Sequence, residues 1–153
     1  DGASKTEYVI PMTGKGLWGA IWGYIALSDD CNTVLGAVFD HKGETPGLGA
    51  EIATPAFQQQ FVDKQIFNNE GQFVSINLLK GKGASAGNPS AVDAISGGTL
   101  TSNGVKAMLK DCLGDYVPFF EQVQSTAKSV PMTDLVPAAD STATAQNTEG
   151  GAK

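Results

Sequence analysis

Histidine occurs once in the chain, at His41, and cysteine only twice, at Cys31 and Cys112. A catalytic triad or a histidine-based metal centre would have to rest on His41 alone. The two cysteines stand far apart with no CxxC spacing, which removes the usual zinc and iron–sulfur patterns, and no metal site is expected. They permit one disulfide without demanding it. Basic residues are scarce as well. Lys plus Arg number 10 against 16 Asp plus Glu, for a formal charge of −6. They form no basic stripe, so neither a groove for nucleic acid nor adhesion to an anionic membrane by charge alone is expected. No run of about 18 apolar residues occurs, so the chain holds no transmembrane helix pattern. It shows no secretory signal pattern and no internal repeat.

What is present suffices for one domain with a core: 153 residues, 41% of them hydrophobic. The expected fold is a single α+β domain over residues 1–137, an antiparallel-rich sheet with helices packed beside it. A disordered tail rich in Ala, Thr, Ser and Gly is expected over 138–153. Glu7 to Pro11 reads as a brief strand ended by Pro11, and Thr13-Gly14-Lys15-Gly16 as a turn. Leu17 to Ser28 is apolar at both alternating positions, which predicts a strand covered on both faces. Asp29 to Asn32 reads as a turn, and it lacks the spacing of a calcium-binding loop. Thr33 to His41 completes an antiparallel hairpin. A helix is expected from Thr54, with Thr54 as N-cap, Pro55 in first position and Phe57, Phe61, Val62 and Ile66 near one face. Gln72 to Lys80 alternates as a strand, and Gly81 to Pro89 is a polar glycine-rich loop.

The next helix is expected to be capped by Thr101, with Leu100 and Val105 as a hydrophobic staple. Val105, Met108, Leu109, Cys112 and Leu113 form its apolar stripe, and Gly114 stands where a C′ glycine would end it. A further helix follows over Tyr116 to Gln124 with Pro118 in its first turn. On this reading Cys112 is buried, and Cys31, in a turn, is the more accessible thiol.

Two stretches carry the functional signal. In Asp93-Ala94-Ile95-Ser96-Gly97-Gly98-Thr99-Leu100-Thr101, hydroxyls and paired glycines stand immediately before a helix. A helix start presents unpaired N–H groups and the positive end of the macrodipole, and glycines allow close backbone approach, so the stretch suits a phosphate. The second stretch is Glu44-Thr45-Pro46-Gly47-Leu48-Gly49. It reads either as a tight β-to-α connection or as a rim of backbone N–H groups along a polar ring edge, with Leu48 on the ring face.

The first stretch resembles the flavinylation signature of covalent-FMN domains: Asp, two variable residues, Ser or Thr, Gly, Ala, then Thr or Ser. Asp93, Ser96 and Gly97 match, and the acceptor falls on Thr99. Gly98 stands where that family has Ala, which removes a methyl and would loosen the loop. Glu-Thr-Pro-Gly-Leu-Gly and Lys15-Gly16-Leu17-Trp18 resemble further segments of the same family. Together the three matches resemble the FMN-binding domains of the C subunits of sodium-translocating NADH:quinone reductases. The G subunits of Rnf-type electron-transport complexes are the close competitor, and a non-redox periplasmic binding module on the same scaffold is an alternative of another class.

The resemblance implies a covalent FMN on Thr99 through a phosphoester and a role in relaying electrons between redox centres of a membrane complex. Ser96, Gly97, Gly98, Leu100 and Thr101 would surround the phosphate. Trp18, Thr45 and Leu48 would border the ring, with Glu44 and Gly47 nearby, and Lys80 or Lys82 would approach the ring or the phosphate. It implies partners among the other subunits, and loading by a flavin transferase that uses FAD and magnesium. It also implies a place on the periplasmic side of the bacterial inner membrane, anchored by an N-terminal helix absent from this chain.

Overall fold

The structure, a computed structural model, describes residues 6–129. Three strands, β1 (Tyr8–Lys15), β2 (Ala20–Leu27) and β3 (Val34–His41), form an antiparallel meander in the order β1-β2-β3. Two short strands, β4 (Asn77–Leu79) and β5 (Ala91–Asp93), pair in parallel elsewhere. The α-helices are α1 (Pro55–Gln58), α2 (Thr99–Gly114) and α3 (Val117–Ser129), and 3₁₀ turns flank α1 at Gly49–Ala53 and Gln59–Phe61. This is an α+β fold, as the composition and patterning indicate. The chain falls into two units that divide after Phe120, the second holding the helical residues Glu121–Ser129. The tail expected over 138–153, and with it the boundary at residue 137, lies outside the described residues.

Period-two alternation places Ile10 and Met12 of β1, Ile21, Ile25 and Leu27 of β2, and Ala37 and Phe39 of β3 in the core; a register shift near Ala26 and Leu27 turns Val34 inward as well. The opposite face of the sheet is open. Trp22 and Tyr24 are exposed, so β2 is covered on one side and not on both as its composition suggests. Apolar content alone does not report which faces of a strand are covered. Against the inner side of β3, Phe39, Phe57 and Phe61 pack with ring centroids 5.1–5.7 Å apart. Thr54 caps α1 as expected, its Oγ1 accepting from Phe57 N at 3.4 Å with Pro55 at the first position. The helix gives way to a 3₁₀ turn after Gln58, which leaves Val62 exposed while Phe57, Phe61 and Ile66 are buried.

α2 lies along β1 through one stripe of residues four apart. A Cβ on Gly104 would collide with the Lys15 carbonyl oxygen. Met108 Cβ lies 2.9 Å from where a Cβ on Gly14 would stand. Cys112 Sγ donates to Thr13 O at 3.5 Å. The closeness of helix and strand thus depends on two glycines, one from each element. The same contact explains why β1 does not end at Pro11. Thr13 O faces the helix, away from β2, and Pro11 two residues earlier points its backbone the same way. A proline in that orientation removes no bond from the sheet. β1 therefore continues to Lys15, and the turn expected at 13–16 falls at 16–19 instead, closed by Gly16 N donating to Gly19 O at 2.8 Å.

Three further expectations are corrected. The run Gln72–Lys80 is a strand only over Asn77–Leu79. Both Val74 N and Ser75 N donate to Ile66 O, at 2.8 and 3.0 Å, and this sharp local path takes Ser75 to φ +60°. β4 and β5 form a short parallel pair beside the antiparallel meander, so the fold is antiparallel-rich as expected. Gly114 is the last helical residue rather than a left-handed cap, since α2 passes into Asp115 with φ −65° and ψ −24°. α3 begins as expected beside Pro118 and extends to Ser129, past the expected Gln124.

The thiols are the reverse of the expectation. Cys31 is fully buried, and Cys112 is half-buried; both are free. The turn at Asp29–Asn32 tightens around the Asp30 carboxylate, which accepts from Asn32 N and Thr33 N at 2.8 Å each, and Cys31 turns inward at φ +54°. Burial, then the charges of Asp30 and Asp29, push the Cys31 thiol up to about 11. Ellman's reagent on the native protein is therefore expected to label Cys112 first, with Cys31 reacting only on denaturation. Equal rates for the two thiols in the native state would contradict this placement.

Candidate functional site

Glu44 organises the site although it is buried. Leaving β3, the chain turns so that Glu44 N donates to His41 Nδ1 at 3.0 Å. The Glu44 side chain then points beneath the β1–β2 turn. One oxygen accepts from Leu17 N at 3.0 Å; the other accepts from Trp18 N at 2.9 Å and Gly19 N at 3.1 Å. The hydroxyl of Thr101 donates to the first oxygen through a short hydrogen bond. Burial alone would raise the carboxyl pKa. The hydrogen bonds from Thr101 and from the Trp18, Leu17 and Gly19 amides outweigh it, so the group is held below the usual carboxylate range and is ionised at neutral pH. One carboxylate thus joins the β1–β2 turn to the first turn of α2. Gly16 and Gly49 make room for it: a Cβ on Gly16 would lie 2.7 Å from the Glu44 carboxyl carbon, and one on Gly49 would collide with Thr101 Oγ1.

α2 begins at Thr99, with Gly98 in the cap position and no side chain capping the helix. Helix geometry leaves the amides of its first turn without intrahelical acceptors. The expected cap, Thr101, is instead buried and engaged with Glu44. A buried hydroxyl orders the turn: Ser102 Oγ accepts from Ile95 N at 3.0 Å, while Ser96 is exposed. Leu100 is 58% exposed and is no staple. Gly97 adopts φ +75°. Gly98 is packed rather than loose, since a Cβ there would meet Ile95 Cγ2 at 3.0 Å and Gly49 Cα at 3.3 Å.

These elements enclose a cleft of about 210 Å³ lined by Leu17, Trp18, Glu44, Thr45, Leu48, Gly49 and the segment Gly97–Thr101. Trp18, Glu44, Thr45, Leu48, Gly97, Gly98, Thr99, Leu100 and Thr101 therefore come together as the sequence indicates. Ser96, Lys80 and Lys82 do not line this cleft. They line a second cavity of about 500 Å³ on the other flank of the same turn, where Gly97 and Thr99 recur. Gly47 borders a third recess of about 320 Å³ that also reaches Ser96. Leu17, Gly49 and Ser102 were missed. Gly49 closes the Glu-Thr-Pro-Gly-Leu-Gly stretch and was legible there, whereas nothing local marks Ser102 as the inward hydroxyl. Among the described residues no group of three His, Cys, Asp or Glu side chains is placed to hold a metal ion. None of the described helices is long and apolar enough to cross a membrane.

Residues 16–114 match the family described as the FMN-binding domain. The C subunit of the Na(+)-translocating NADH-quinone reductase of Pasteurella multocida is 42% identical over 127 residues, which cover 82% of this chain and 48% of the relative. The corresponding protein of Neisseria meningitidis serogroup A is 40% identical over 121 residues, covering 78% and 46%. Among solved structures, the C subunit of the same reductase from Parabacteroides distasonis superposes with a TM-score of 0.71 at 47% identity, covering 76% of this chain and 57% of that one. Shewanella oneidensis NqrC superposes at 0.69 and 38% identity, covering 78% and 55%. The chain spans about half the length of the curated relatives it matches. The matched segment contains Glu44, the turn before α2 and α2 entire: the chain belongs to the FMN-binding domain family.

Proposed function

We propose that this chain carries FMN covalently, in a phosphoester to Thr99, and serves as the flavin domain of the C subunit of a sodium-translocating NADH:quinone reductase. The observation that carries the reading is the exposed Thr99 at the uncapped start of α2, on the lip of a cleft walled by Trp18 and Leu48. The residues present fit the group. The first-turn amides and the helix dipole suit a phosphodiester, and the apolar side chains suit the face of an aromatic ring. FMN supplies the redox chemistry; the chain supplies attachment, orientation and electrostatics. Thr99 anchors, Gly97 and Gly98 let the backbone come close, and Glu44 fixes the turn that presents Trp18. A cleft of about 210 Å³ lies below the ~300–1,000 Å³ that enclose most of a ligand this size, so part of the ring stands outside it. An exposed ring edge suits electron exchange with neighbouring centres. The relatives named above favour the quinone reductase over the Rnf-type reading.

Loading by a flavin transferase, docking to the other reductase subunits and a place on the periplasmic side of the inner membrane belong to the same proposal. Co-expression with a flavin transferase is expected to give yellow protein that stays yellow through denaturation and gel filtration, with one FMN of added mass. Flavin that separates from the denatured chain would overturn the covalent assignment.

Trp18 tests the ring wall. Its side chain is 68% exposed, so Trp18→Ala is expected to alter stability by less than about 0.5 kcal/mol while shifting the absorbance and fluorescence of the attached flavin. An unchanged flavin spectrum would remove Trp18 from the wall.

A further inference from the structure

Two glutamines on one short turn close the edges of two different sheets. Gln58 ends α1, and Gln60 lies within the 3₁₀ turn Gln59–Phe61 that follows. Residues two apart on so tight a turn point to opposite sides. Gln58 Oε1 accepts from Phe39 N of β3 at 2.6 Å, and Gln60 Oε1 accepts from Asp93 N of β5 at 2.8 Å. A backbone N–H only donates, so each amide oxygen must face its strand. Gln59, between them, is exposed. Phe57 and Phe61 seat the same segment on Phe39 from the inner side of the meander.

The second of these bonds falls at the entrance to the Thr99 stretch. β5 is an edge of its two-stranded sheet. Ala94 N donates to Leu79 O of β4 at 2.8 Å. Asp93 N, one residue earlier, points the other way, and there Gln60 supplies the acceptor that a further strand would. The Asp93 carboxylate is engaged as well: it accepts from Gly83 N at 2.6 Å, Ser85 N at 2.9 Å and Ser85 Oγ at 2.7 Å. Asp93 is thus held through both backbone and side chain. The chain then runs to Thr99 with Ile95 N anchored on Ser102 Oγ.

β3 leads into the segment that supplies Glu44, Thr45 and Leu48 to the cleft, and β5 leads into Thr99. Gln58 and Gln60 therefore link the strand that delivers part of the ring wall to the strand that delivers the acceptor. Glu44 joins the same two parts through Thr101, and Gln60 joins them a second time, upstream of Thr99. On the flavin reading above, we infer that Gln60 is a positioning residue for flavin attachment: with Gln58 fixed on β3, it sets where Asp93, and through it Thr99, stands relative to the ring wall. Because the Glu44 tie remains, loss of the Gln60 acceptor loosens the approach to Thr99 without unfolding the chain.

Two substitutions separate the acceptor oxygen from the bulk of the side chain. Gln60→Met keeps the length and lacks the oxygen, whereas Gln60→Glu keeps an oxygen for Asp93 N. In the full chain without flavin, hydrogen exchange followed by NMR should run about tenfold faster at the Asp93 amide of Gln60→Met, the scale of one lost hydrogen bond, and near the unaltered rate in Gln60→Glu. Incubated with flavin transferase, FAD and magnesium, Gln60→Met should gain FMN mass several-fold more slowly, and Gln60→Glu close to the unaltered rate. Phe61→Leu weakens the packing of the same segment and leaves the Gln60 oxygen in place, so it should take up flavin as the unaltered chain does. A purely structural role for Gln60 would make the Met and Leu variants behave alike. Equal rates of exchange or of attachment for Gln60→Met and the unaltered chain, or an equal slowing in Phe61→Leu, overturns the inference and leaves the flavin reading standing. No attachment to the unaltered chain overturns both.

Discussion

Thr99→Ala is expected to yield a folded chain that gains no FMN mass when co-expressed with a flavin transferase. Three hydroxyls lie close together in sequence, and the structure distinguishes them. Thr101 is buried and donates to Glu44. Ser96 is exposed and lines the second cavity and the third recess, but not the ring cleft. Thr99 is exposed at the first position of α2 and borders both the ring cleft and the second cavity. Its hydroxyl alone combines access with the unpaired amides of the helix start. Because the side chain takes no part in the core, its truncation should change stability by less than about 0.5 kcal/mol. Thr99→Ser keeps the hydroxyl and should retain flavin. Peptide mass mapping together with circular dichroism decides the matter: FMN-sized mass on Ser96 or Thr101 of the Thr99→Ala chain would overturn the assignment.

Glu44→Ala is expected to produce the largest loss of stability, on the order of 3 kcal/mol or more. The carboxylate is the shared acceptor for the amides of Leu17, Trp18 and Gly19 and for the Thr101 hydroxyl. Its removal leaves these donors without a partner in a part-buried setting and separates the β1–β2 turn from α2. The turn carrying Trp18 should loosen as the protein weakens, which protease sensitivity after Lys15 would register. A pH dependence accompanies this. Glu44 has a folded-state pKa below its ordinary 4.5, because hydrogen bonds to the charged form outweigh burial. A depressed carboxylate contributes stability that is fully present above the unfolded pKa and is lost as pH falls through the folded one. The Glu44 contribution should therefore be intact at pH 7 and decline below about 4.5. Asp30 and Asp93 are also held low, Asp30 by hydrogen bonds from Thr33 and Asn32 that outweigh its burial, and Asp93 by hydrogen bonds from Ser85 and Gly83. The difference between the unaltered chain and Glu44→Gln isolates the Glu44 share. Urea denaturation at several pH values measures it, and parallel acid losses in the two proteins would contradict the role given to Glu44.

The meander, the Thr54-Pro55 helix start and the stripe of α2 were legible from the chain alone, whereas the gathering of Trp18, Thr45, Leu48 and Thr99 came only from the resemblance to a family. Each rests on a local signal. Alternation marks a strand, a capping hydroxyl before proline marks a helix start, and a glycine-rich run before a 3.6-residue period marks an anion-binding turn. Where the reading failed, the deciding neighbour was distant in sequence. Thr101 looks like a cap until Glu44, 57 residues away, takes its hydroxyl. Asp93 looks like part of a phosphate turn until its carboxylate is found closing the 83–85 loop. Pro11 reads as a strand end unless β1 is known to lie at the sheet's edge, with Thr13 O on its free side. The exchange of roles between Cys31 and Cys112 has the same origin: Asp30 pulls one turn inward, while β1 meets α2 at its edge and leaves Cys112 half-covered. Local periodicity and turn chemistry depend on residues a few positions apart, and the chain determined those by itself. Burial and hydrogen-bond partnership depend on which distant segments the fold brings together, and only the tertiary structure decided them.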